Sequence, residues 1–100
     1  MSSYADTLRK HARITILRVL ENAPQYESNV SLLTTTLKQV GINFTRDQVM
    51  TEVNWLEQQG FVKKNETGIG YVVIAATISG IEVAQGITTH DGIQRPAPEA

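Results

Sequence analysis

Apolar residues change their spacing at Gly60, and this switch limits what the chain can fold into. Before it they recur every three or four residues. After it they alternate. Ile14, Leu17 and Leu20, flanked by Ile16, predict a helix over residues 4–21, which Asn22-Ala23-Pro24 ends because proline cannot continue it. Val30, Leu33, Leu37 and Val40 predict a second helix over 29–40, capped by Ser28 or Asn29 and stopped by Gly41. The turn Gly41-Ile42-Asn43-Phe44 leads to a capping box of Thr45 and Gln48, so a third helix starts at Arg46 and runs to Gln59, with Val49, Val53 and Leu56 inward. Beyond Gly60, Phe61-Val62-Lys63-Lys64 and Tyr71-Val72-Val73-Ile74-Ala75 read as paired strands, joined by turn residues 65–70. Thr77 caps a short helix over 78–85, ended by Gly86. From Ile87 on, Thr88, Thr89, Gly92, Pro96 and Pro98 read as an extended, poorly ordered tail. The division is thus a folded domain over 1–86 and a tail over 87–100.

Helix, helix, tight turn, helix, hairpin, helix is the winged helix-turn-helix order: mostly α with a β-hairpin wing, in a single domain. Composition agrees, since 100 residues with 41% hydrophobic and 19% charged side chains suit one globular core. Cysteine is absent, so disulfides and cysteine-based zinc sites are excluded, and a reducing compartment fits. No apolar run approaches the ~20 residues that span a bilayer, and the N-terminus lacks a signal-peptide pattern. His11 and His90 are too isolated to hold a metal, and no P-loop, nucleophile elbow or zinc-protease motif occurs. The expectation is a protein without catalysis, metal or cofactor.

In the winged-helix arrangement the third helix reads DNA and the hairpin flanks it. With Val49, Val53 and Leu56 inward, Asp47, Thr51, Asn54 and Gln58 turn outward. Asn and Gln side chains can read adenine edges, and Arg46 could reach a phosphate. The DNA-contacting set is therefore Arg46, Thr51, Asn54 and Gln58, with Lys63 and Lys64 on the flanking backbone. Against this, the third helix carries one arginine and three carboxylates, Asp47, Glu52 and Glu57, which reads equally as an acidic solvated face. The net charge of −1 means that any DNA affinity must come from a local basic patch. Lysines on an edge strand also guard against aggregation. Arg9, Lys10, Arg13 and Arg18 on the first helix read as a solubilised surface or the rim of an interface. Trp55 reads as core packing.

Arg13-Ile14-Thr15-Ile16-Leu17 resembles the first helix of ArsR-like winged-helix regulators. The stretch from Val53-Asn54-Trp55-Leu56 to Gly60-Phe61-Val62 resembles their recognition-helix end and first wing strand, and Thr77-Ile78-Ser79-Gly80 the opening of their last helix. A resemblance over nearly the whole chain is to small ArsR-like proteins of Mu-like phages and prophages. It rests on Asn29 with Leu32-Leu33, Thr45-Arg46-Asp47-Gln48-Val49, Trp55-Leu56 and the tail Gly92-Ile93-Gln94-Arg95-Pro96-Ala97-Pro98. The resemblance implies a phage or prophage protein in a bacterial cytoplasm. Metal sensing does not carry over, because the usual cysteines are missing.

The functional expectation is a phage-encoded DNA-binding regulator acting on double-stranded DNA. The alternative is a winged helix used as an assembly module for another phage protein, in morphogenesis or DNA packaging. A second apolar stripe on the first helix, Tyr4, Leu8, Ala12, Thr15 and Val19, predicts a homodimer through that helix. The alternative is that the last helix folds back over the stripe.

Overall fold

The first helical stripe becomes the hub of the molecule. In the computed structural model, which describes residues 3–96, helix α1 spans Tyr4–Asn22 and wholly buries Ile16, Leu17 and Leu20. Ser3 caps it reciprocally with Asp6. After a 3₁₀ turn at Pro24–Tyr26 come β1 (Glu27–Asn29), α2 (Val30–Gln39), α3 (Arg46–Gln58), β2 (Val62–Glu66), β3 (Val72–Ala76) and α4 (Ile78–Ala84). The result is one mostly helical domain with a three-stranded antiparallel sheet in the order β1-β3-β2. The helix starts follow the capping signals: Asn29 Oδ1 accepts from the Leu32 amide, and Thr45 and Gln48 bond reciprocally. Gly41 closes α2 in the left-handed region, at φ +86°.

Strand β1 was not expected. It is three residues long and carries no apolar alternation. It forms because β3 offers it a partner, with Glu27 opposite Ala75 and Asn29 opposite Val73. In the hairpin, Lys63 pairs with Ala75 and Lys64 with Ile74. Directly opposed residues share a face, so Lys64 lies on the side of the buried Ile74, and Lys63 projects from the other side. The two lysines are therefore not equivalent.

The structure differs from expectation in two places. Residues 87–96 are not an extended tail but return along the body of the domain. Ile93 is buried, and the Gln94 amide donates to the Lys10 carbonyl at 3.2 Å. His90 packs edge-on against Trp55 and Phe61, with ring centroids 5.2 and 5.8 Å apart. Gly92 permits this docking, since a Cβ there would lie 2.7 Å from the Trp55 ring. The last part of the expected tail, residues 97–100, lies outside the described residues.

The second difference concerns the stripe expected to form a dimer. Ala12 is fully buried within the single chain, and Leu8 and Val19 pack against its core. Thr15 is half-buried, its hydroxyl donating to the His11 carbonyl at 2.8 Å. Of the five residues only Tyr4 stands exposed. Much of the stripe is thus engaged within one chain, which leaves less apolar surface for the expected dimer than the sequence suggests. Leu8→Glu is accordingly expected to lower stability by about 1–3 kcal/mol in urea unfolding, with no change in sedimentation mass from that of the unaltered chain.

The start of α4 is a tight junction with the end of α3. The Thr77 hydroxyl accepts from the Gly80 amide and donates to the Gly60 carbonyl, at 3.1 and 2.7 Å, while the Thr77 amide donates to the Phe61 carbonyl at 3.0 Å. A Cβ on Gly80 would lie 2.1 Å from that same Phe61 oxygen. The obstacle is backbone, so it cannot rotate away. Gly80→Ala should therefore destabilise the fold by about 3 kcal/mol, read as a lower urea midpoint.

Candidate functional site

The outward side of α3 is polar. Arg46, Asp47, Thr51, Asn54 and Gln58 are all exposed on it, as the helical period requires when Val49, Val53 and Leu56 are buried. Arg46 Nη1 reaches Ser31 Oγ in the first turn of α2 at 3.5 Å, and the Thr51 hydroxyl donates to the Asp47 carbonyl at 3.0 Å. Lys63 is exposed on the hairpin, away from this group.

Lys64 is placed differently from expectation. It folds over the end of α3, where its ammonium donates to Asn54 Oδ1 and lies 3.4 Å from Glu57 Oε1. Its backbone amide donates to Glu57 Oε2 at 3.1 Å. Glu57 thus holds both ends of one residue, and the hairpin is fixed to α3 through side chains. Lys64 is thus engaged at the surface by two side chains of α3.

The acidic face expected for α3 is also altered. Glu52 does not face solvent: it is 2% exposed. Its Oε1 accepts from Arg13 Nε at 2.8 Å, and its Oε2 lies 3.6 Å from Arg9 Nε. Arg13 also donates through Nη1 to the Gly92 carbonyl at 2.9 Å and stacks 3.9 Å from the Trp55 ring centroid. The basic cluster of α1 is therefore not all surface, since Arg13 points inward. With Glu52 internal and Glu57 against Lys64, Arg46 and Asp47 remain as the charges on the outward face.

Helical spacing carried the signal for this pair. Arg13 falls in register with Ile16, Leu17 and Leu20, and Glu52 with Val49, Val53 and Leu56. Two opposite charges on two core stripes are the mark of a buried pair. The Lys64–Glu57–Asn54 group had no such signal, because it depends on how the hairpin lies on α3. Among the described residues, no group of three or more His, Asp or Glu side chains comes together as a metal site requires. Nor is any helix among them long and apolar enough to cross a membrane.

Breaking a buried pair by removing one partner costs more than replacing both partners. Arg13→Ala should thus destabilise by roughly 3 kcal/mol in chemical denaturation. The double variant Arg13→Met/Glu52→Leu should recover a substantial part of that loss, as a double-mutant cycle would measure.

Comparison with known proteins places this architecture in a phage setting. The chain is 36% identical over 95 residues to the uncharacterized protein gp26 of Escherichia phage Mu, an alignment covering 95% of this chain and 97% of the phage protein. It is 33% identical over 75 residues to an uncharacterized protein of Haemophilus influenzae, covering 75% of this chain and 72% of that one. No family model matches the chain. No solved structure matches it. Identity at that level over nearly the full length of both chains is that of one family, and the chain belongs to the family of phage Mu gp26.

Proposed function

We propose that this chain is a winged-helix, DNA-binding protein of the phage type, acting as a regulator through α3 in the major groove of duplex DNA. The observation that carries the reading is the outward face of α3. Its core-facing side is apolar apart from the internally paired Glu52, while Arg46, Thr51, Asn54 and Gln58 stand free of the core on a helix that follows α2 after a short turn. Two of the helix's three carboxylates are held by cations of the same chain, so the repulsion of phosphate that its sequence suggests is reduced. In this reading Arg46, beside the first turn of α2, and Lys63, exposed on the hairpin, meet the DNA backbone. Thr51, Asn54 and Gln58 face the bases.

A second reading has its own support. Ile69 and Tyr71 at the hairpin turn and Ile78 at the start of α4 are 77%, 56% and 82% exposed. Apolar side chains held out in this way suit a module that docks onto another phage protein during assembly or packaging.

Gel retardation of duplex fragments of phage genome over a salt series separates the two. Binding should weaken steeply as salt rises. Arg46→Ala/Lys63→Ala should weaken it on all sequences alike and reduce the slope of log affinity against log salt by about 2. No retardation at low salt on any duplex would favour the assembly reading.

A further inference from the structure

Lys64 ties up one particular atom of Asn54, and this bears on which base the site accepts. We infer that the Asn54–Lys64 pair, within the DNA-binding reading on which this rests, selects guanine rather than adenine. An ammonium has donors only, so the oxygen of the Asn54 amide is the atom that must face it. The amide nitrogen, with its two protons, is left to point away from the lysine. Lys64 itself has three donors. One goes to Asn54 and one lies toward Glu57, which leaves one.

The Asn54–Lys64 tip near the end of α3 consequently offers donors, and the Glu57 carboxylate beside it is committed to the Lys64 ammonium and backbone amide. Glu57 balances the ammonium charge, so the tip is a hydrogen-bonding surface rather than a general attractor for phosphate. An asparagine with both amide atoms free pairs with adenine, accepting from N6 and donating to N7. Guanine instead presents two acceptors, O6 and N7, along its major-groove edge. A donor-only tip matches both of them, whereas the adenine amino group would face a second donor. The arrangement is also held at more than one point. Glu57 holds Lys64 by its backbone amide as well as its side chain, and Glu57 and Asn54 lie one turn apart on α3.

The test is selection of bound duplexes from a randomised library by the full chain at low salt, repeated with three variants. Asn54→Ala identifies the base pair in question as the one at which preference is lost. At that pair the unaltered chain should favour guanine over adenine on the order of tenfold. Lys64→Met releases the amide oxygen and should shift the preference toward adenine. Because it also leaves Glu57 uncompensated beside DNA, Glu57→Gln/Lys64→Met is run in parallel, and the same shift is expected there. Adenine selected by the unaltered chain, or a guanine preference unchanged in both lysine variants, overturns the inference while leaving DNA binding intact. Failure to enrich any duplex overturns the DNA-binding reading and the inference with it.

Discussion

The buried pair of Arg13 and Glu52 is the interaction through which the parts of this small domain are held in one arrangement. It joins α1 to α3 through two residues 39 apart in the chain. The same guanidinium bonds the Gly92 carbonyl and stacks on Trp55, so the returning C-terminal segment docks on it as well. A charged group at this depth is tolerable only when its donors and acceptors are met. That condition is satisfied here by Glu52, Gly92 and the face of Trp55. Shifting α3 along α1 would leave a buried carboxylate without its cation. The pair therefore fixes the register between the two helices, a constraint that non-directional apolar packing imposes less sharply.

The hairpin is referred to α3 by a second polar device of a different kind. Lys64, on the inner face of β2, reaches across to Glu57 and Asn54 near the end of the helix. These groups are partly exposed, so their contribution to stability is modest. Their consequence is geometric: the hairpin and the polar face of α3 form one surface instead of two that move independently. Both devices draw a carboxylate of α3 onto a cation of the same chain. The charge seen by a ligand is then not the charge written in the helix sequence.

The helices were legible because each carries its own evidence. The stripe Ile14, Leu17 and Leu20, the Asn29 cap, the Thr45–Gln48 capping box and the Gly41 stop are all local, and each holds in the structure within a residue or two. Strand β1 was not legible, because Glu27-Ser28-Asn29 has no pattern of its own and exists as a strand only through β3, more than forty residues on. The segment 87–96 read as a tail because its Thr, Gly and Pro residues are those of loops. A buried Ile93, a glycine fitted to Trp55, His90 against Trp55 and Phe61, and two backbone-directed hydrogen bonds dock it.

By itself, then, the sequence determined where helices begin and end, that Val30, Leu33 and Leu37 of α2 and Val49, Val53 and Leu56 of α3 turn inward, though not that Val40 stays exposed, and that a hairpin follows Gly60. These follow from periodicity and capping, which act over a few residues. Tertiary structure alone decided which cation Glu52 meets, that Lys64 is engaged while Lys63 is free, and that Ala12 is core with Leu8 and Val19 packed against it. The physical reason is that a side chain's partner is set by which elements come together in space. A periodic pattern names the face a residue occupies but not the group it meets there.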